Sequence, residues 1–160
     1  MEYTITEIPA QKFLVMTKEF INSADVPMFW DECSESGKIG ALLLRRPIGI
    51  RDLYGICRPA AEGVFEYGIG ILLDVATDWM TQAGMDYCGY TIWDVPAGTY
   101  VTLDCHGDDS QSIAEAWKWF MEEFLPSSGY QLMVSADYEC YPDQENDGVF
   151  CKLHIPVTKE

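Results

Sequence analysis

The chain has 160 residues, 48% hydrophobic and 13% aromatic, and a formal net charge of −16. That is enough apolar material for one substantial core, while no run of 18 apolar residues reads as a membrane span. Between Arg58 and Lys118 there is no Lys or Arg, which leaves no place for the clustered cations that direct nucleic-acid binding requires.

The opening residues, MEYTITEIPA, have neither a basic n-region nor an apolar h-region. A soluble, cytoplasmic protein without a signal peptide is therefore expected. The six cysteines, at 33, 57, 88, 105, 140 and 151, form no CxxC spacing, and His106 and His154 fall in separate segments. Neither a metal site nor a cofactor is expected, and the thiols read as reduced. Such acidity serves solubility, and its summed field attracts cationic ligands.

In chain order, residues 3–8 alternate and stop at Pro9, and residues 12–20 are rich in strand formers. The two predict a β-hairpin. A helix follows, with Ser23 or Asp25 as cap, Pro27 in the first turn, Trp30 and Cys33 at helical spacing, and Gly37 as stop. Residues 49–57 and 65–73 read as strands, and residues 74–85 as a connector. Residues 90–96 then predict a strand with 98–105 as its partner. After HGDDSQ, a helix over 110–124, capped by Asp109, carries Ile113, Ala116, Trp117, Phe120 and Phe124 on one face. Strands over 132–141 and 149–156 finish the chain.

YTITEIPA (3–10) and YTIWDVPA (90–97) differ only at Thr6/Trp93, Glu7/Asp94 and Ile8/Val95. The same 87-residue offset carries Phe13 to Tyr100, Trp30 to Trp117, Asp52 to Glu139 and Tyr54 to Tyr141, and a two-residue gap then pairs Phe65 with Phe150. This predicts an α+β fold, a single domain over 1–160 made of tandem β-α-β-β units at about 1–76 and 84–160. One helix would cover each antiparallel sheet, with a central ligand cleft across a pseudo-twofold.

The motifs VPMFWDEC, LYGIC and FEYGIGI, then DVPAGTYVTLDCHG, AEAWKWFMEEFLPSSGY, DYECY and FCKLHIPV, resemble the GyrI-like (gyrase-inhibitor-like) effector-binding family along essentially the whole chain. That family also supplies the ligand-sensing part of multidrug-responsive and AraC-type transcription regulators. The resemblance implies an SHS2-type repeat and a binding module for hydrophobic, often cationic aromatic molecules. It also implies that the acid of an E-x-Y strand, here Glu139 with Tyr141, points into a central aromatic pocket. With the first strand starting at residue 3, a stand-alone module is expected. Any DNA contact would then belong to a separate regulator chain.

Alternation over 132–141 places Leu132, Val134, Ala136, Tyr138 and Cys140 on one face, expected to lie under the Trp117 helix. Met133, Ser135, Asp137, Glu139 and Tyr141 would face the crevice, with Ile50, Asp52, Tyr54 and Ile56 opposite them. Phe13 and Tyr100 read equally as pocket walls or core aromatics. Trp93 either makes the pocket asymmetric or covers a sheet edge, and Trp30 and Trp117 read as core. His154 would line the rim or face solvent, and Glu139 could instead pair with Arg51 or Lys152. The candidate ligand-binding set is Glu139, Tyr141, Asp52, Tyr54, Phe13, Tyr100, Trp93, Met133 and His154. Two alternatives to a binding protein remain. One is a hydrolase of electrophilic drugs using Glu139 with Tyr54 or Tyr141, and the other is an acidic module docking on a protein such as gyrase.

Overall fold

The computed structural model describes residues 1–43, 52–73, 89–107, 110–142 and 148–160. Strands β1 (Tyr3–Ile8) and β2 (Gln11–Phe20) precede a 3-10 turn, Ser23–Asp25, and helices α1 (Val26–Glu35) and α2 (Lys38–Leu43). Strands β3 (Leu53–Pro59), β4 (Phe65–Leu73), β5 (Thr91–Val95) and β6 (Gly98–His106) follow. Helix α3 (Gln111–Trp119) runs through a π turn, Phe120–Phe124, into α4 (Leu125–Ser128), and β7 (Tyr130–Leu132), β8 (Asp137–Tyr141) and β9 (Val149–Lys159) complete the fold.

Local chemistry accounts for the helix ends. Asp25 stands at the N-cap of α1, though its side chain makes no capping bond, and Asn22 caps the preceding 3-10 turn, its Oδ1 accepting from Ala24 N at 3.0 Å. Gly37, at φ +78°, closes α1 in a conformation that costs a β-carbon-free residue little. Gly129 does the same after α4, at φ +77°. The expected cap Asp109 lies outside the described residues.

The expected strand over 132–141 is two strands. Tyr130–Leu132 pairs with the end of β9, and β8 begins only at Asp137. Likewise β3 starts at Leu53, with residues 49–51 outside the described set.

Among the described residues one nine-stranded sheet runs β1-β6-β9-β8-β3-β4-β2-β5, with β7 also on β9 and every pairing antiparallel. The two expected hairpins are absent from it. β1 pairs with β6 (Tyr3↔Leu103 to Ile8↔Gly98), and β5 pairs with β2 (Gln11↔Val95 to Val15↔Thr91). Each near-identical strand thus crosses to the other half of the chain. Two-residue hairpins need positive-φ residues such as Asn-Gly. Pro9-Ala10 and Pro96-Ala97 supply none, and proline holds φ near −65°.

The pairing registers repeat consistently. β1 and β2 map onto β5 and β6 at an offset of 87, while β3 and β4 map onto β8 and β9 at 84. The correspondence read from sequence therefore slips by three residues after the helix. Tyr54 matches Tyr138, not Tyr141, and Gly55 matches Glu139. Gly55 and Glu139 are also directly paired, so the twofold passes between them.

Among the described residues there are three apolar cores. Under α1 lie Leu14, Met16, Tyr67, Ile69, Ile71 and Ile92 with Phe29 and Cys33. Under α3 lie Val101, Leu103, Cys105, Cys151, Leu153 and Ile155 with Ile113, Ala116 and Phe120. The third is on the opposite sheet face, where Phe13, Val15, Tyr54, Ile56, Trp93, Tyr100, Tyr138 and Cys140 pack on one another. The sheet curls around this core, bringing the Tyr138 hydroxyl on β8 to Gln11 Oε1 on β2 at 3.1 Å. No helix among the described residues is long and apolar enough to cross a membrane.

Candidate functional site

Because a strand alternates faces, the three-residue slip reverses the expected orientation. Tyr138 and Cys140 lie away from the helices, with Tyr54 and Ile56. Glu139 and Tyr141 point to the helix-bearing face, where Tyr141 packs on the α3 core. The carboxylate of Glu139 sits at the seam between the two helix-covered cores.

The Tyr67 hydroxyl, in the α1 core, donates to Glu139 Oε1 at 2.6 Å and accepts from Trp30 Nε1 at 3.0 Å. The Tyr141 hydroxyl also bonds to the carboxylate. Trp30 meets Tyr141 edge-on at 5.2 Å, and Tyr141 meets Phe150 at 5.5 Å. Aromatic rings from both halves of the chain thus frame one acid.

Burial pushes the Glu139 carboxyl up to about 7, against the two tyrosine hydrogen bonds that favour its charged form. Asp137, two residues earlier on the same face, rises to about 8 through burial and the neighbouring Glu139. Burial and these two acids push the Cys57 thiol up to about 12, so it holds its proton. Among the described residues no Lys or Arg pairs with Glu139. Lys152 instead bonds Asp104 at 3.3 Å, and Arg51 lies outside the described set.

Room for the carboxylate comes from its own symmetry mate. A β-carbon on Gly55 would stand 1.9 Å from Tyr67 Oη and 2.7 Å from Glu139 Oε1. One half of the chain contributes the acid at the twofold, and the other contributes the space.

Of the nine candidate residues, the structure brings Glu139 and Tyr141 together. Phe13, Trp93, Tyr100 and Tyr54 are buried in the helix-free core. Asp52 accepts from Cys140 Sγ at 3.6 Å on the Tyr54 side, and Met133 is exposed beyond β7. His154 stacks on Tyr138 at 4.5 Å with Nδ1 2.9 Å from Thr102 Oγ1. Burial and Lys152 lower it to about 4, so it is neutral at pH 7. Of the two tyrosines considered for hydrolysis with Glu139, Tyr54 faces away and Tyr141 lies beside the carboxylate. Tyr67, Trp30, Gly55 and Asp137 complete the site instead. Matching YGIC (54–57) to YECY (138–141) would have identified Gly55.

Open hollows lie elsewhere, at the β1 edge. One of about 280 Å³ is lined by Met1, Glu2, Asp104, Cys105, His106, Ser112 and Glu115. Another of about 360 Å³ includes Thr4, Thr102 and Lys152.

The family described as "Cass2: Integron-associated effector binding protein" matches residues 4–157. A DNA gyrase inhibitor from Erwinia billingiae (strain Eb661) is 33% identical over 106 residues, 63% of this chain and 64% of that protein. The chain therefore aligns with just under two thirds of that relative's length. Among solved structures, SAV2435 bound to tetraphenylphosphonium superposes with a TM-score of 0.79 at 16% identity, covering 99% of this chain and 94% of that one. The integron cassette protein VCH_CASS2 of Vibrio cholerae gives 0.64 at 16%, covering 98% and 95%. The EcmrR C-terminal domain gives 0.62 at 18%, covering 99% and 98%. At these identities the superpositions speak to the fold. The match over residues 4–157 goes further: this chain belongs to the Cass2 family of integron-associated effector-binding proteins, in line with the GyrI-like resemblance of its sequence.

Proposed function

We propose that this chain binds a hydrophobic, cationic aromatic small molecule over Glu139, as a binding protein rather than a catalyst. The observation that carries this reading is the carboxylate itself. It sits among Tyr67, Tyr141 and Trp30, and no cationic side chain pairs with it among the described residues. A lipophilic cation would supply the missing charge. At 4 Å and an effective dielectric near 20, that attraction is about 4 kcal/mol before desolvation. Each aromatic face adds about 0.5–2 kcal/mol, so charge dominates and the rings select shape. The likeness to SAV2435, which is bound to tetraphenylphosphonium, agrees with this ligand class.

The test is a titration with tetraphenylphosphonium followed by tryptophan fluorescence, comparing the natural chain with Glu139→Gln. Saturable binding that weakens at least tenfold in Glu139→Gln supports the reading. Equal affinity in both removes the carboxylate from it. Turnover of an electrophilic drug, abolished in the same variant, would instead favour hydrolysis. A protein partner, whether gyrase or a DNA-binding regulator chain, would act alongside this site and is sought by pull-down with the purified chain.

A further inference from the structure

Cys105 on β6 and Cys151 on β9 are direct cross-strand partners, 2% and 0% exposed, with their thiols in hydrogen-bonding contact. Directly opposed residues of an antiparallel pair have Cα atoms about 4.5 or 5.5 Å apart. Both distances fall within the range of about 4.4–6.8 Å that a disulfide spans. The register of β6 shifts immediately after Cys105, between Cys105 and His106, and such a bulge gives the strand local freedom to adjust. Cys105 also lines the open hollow of about 280 Å³ between the start of the chain and α3. Cys151, on its inner side, neighbours Tyr141. The remaining described cysteines, Cys33, Cys57 and Cys140, have no such partner among the described residues.

We propose that Cys105 and Cys151 form a reversible dithiol–disulfide couple oxidised by small hydroperoxides that enter through this hollow. The Cys105 sulfur attacks the peroxide O–O bond, forming a sulfenic acid and releasing water or an alcohol, which takes up the thiol proton. The Cys151 sulfur then attacks the sulfenic sulfur, the S–S bond forms, and a second water leaves. Two electrons pass from the two thiols to the peroxide, and a dithiol reductant returns them. Cys151 holds its proton while sharing it with Cys105, which eases the first attack at Cys105. The oxidised form staples β6 to β9 beneath α3, one row from the Tyr141 side of the acid seam.

The experiment treats the full chain with excess hydrogen peroxide, then denatures it, alkylates the remaining thiols and maps the peptides. Expected are a 2 Da mass loss before alkylation, a cross-linked peptide joining Cys105 to Cys151, and restoration of both thiols by dithiothreitol. In Cys151→Ser, Cys105 should stop at a sulfenic acid that dimedone traps. In Cys105→Ser, thiol loss at Cys151 should slow at least tenfold. Full alkylation of both cysteines after peroxide, a cross-link to a different cysteine, or direct passage to sulfinic acid would overturn the proposal. The natural chain decides this even if a variant folds poorly.

Discussion

Gly55 and Glu139 face each other across the central strand pair, and each is the other's counterpart in the duplication. A twofold axis leaves room for one large group on itself, and this chain has resolved the conflict by pairing an acid with a glycine. Gly55→Ala puts a methyl into the space shared by Tyr67 Oη and Glu139 Oε1. The variant should lose about 1–3 kcal/mol of stability through overpacking and at least tenfold in tetraphenylphosphonium affinity. Urea melts and the fluorescence titration measure both, and an unaffected Gly55→Ala would contradict the geometry.

Affinity for a cation should rise with pH through 7 and again as Asp137 ionises near 8. Glu139 titrates near 7 in the free protein, and a bound cation favours its charged form. Below pH 7 the affinity should therefore fall by up to about tenfold per unit. Isothermal titration between pH 5 and 8 checks this, with Glu139→Gln expected to lose the step near 7 and keep only that of Asp137.

The same carboxyl makes folding pH-dependent in the opposite sense. Its folded pKa, near 7, is above the ordinary value of 4.5. The folded state therefore holds the proton more tightly, and this contribution is full below about 4.5 and lost as pH rises through 7. Asp137, near 8, acts with the same sign. Glu139→Gln should match the natural chain at pH 5 and exceed it at pH 8 by about 2 kcal/mol. Denaturant unfolding at the two pH values reads the difference.

Trp93 stands where the first copy of the repeat has Thr6. It is 3% exposed, its ring lies against Gly68, and the Arg58 guanidinium sits 3.8 Å from its centroid. Restoring threonine should cost about 3–5 kcal/mol by leaving a cavity, visible as a lowered urea midpoint. A near-neutral Trp93→Thr with altered ligand affinity would return this residue to the binding surface.

Much of the fold could be read from periodicity and punctuation. The strands over 3–8 and 65–73, the Gly37 stop and the inward face of α3 follow from local signals that the structure keeps. The site was harder to read because it depends on register between distant strands. Carrying one offset through the helix turned Asp52 and Tyr54 towards Glu139. The true offset on β3 is three residues shorter, and an odd slip inverts every side chain on a strand. The crossing of β1 and β5 was equally hidden, since pairing partners separated by 76 to 100 residues leave no local mark. The refusal of Pro-Ala to make a tight hairpin was the clue available.

That crossing bears on how the chain assembles. Because β1 completes the sheet of the second half and β5 that of the first, neither half has its full set of strands alone. Folding must wait for β1 and β2 to meet β6 and β5, strands far along the chain, which makes it slow. Two fragments divided between Leu73 and Gly89 should each stay largely unfolded and become ordered only on mixing, behaving as an obligate heterodimer encoded in one polypeptide.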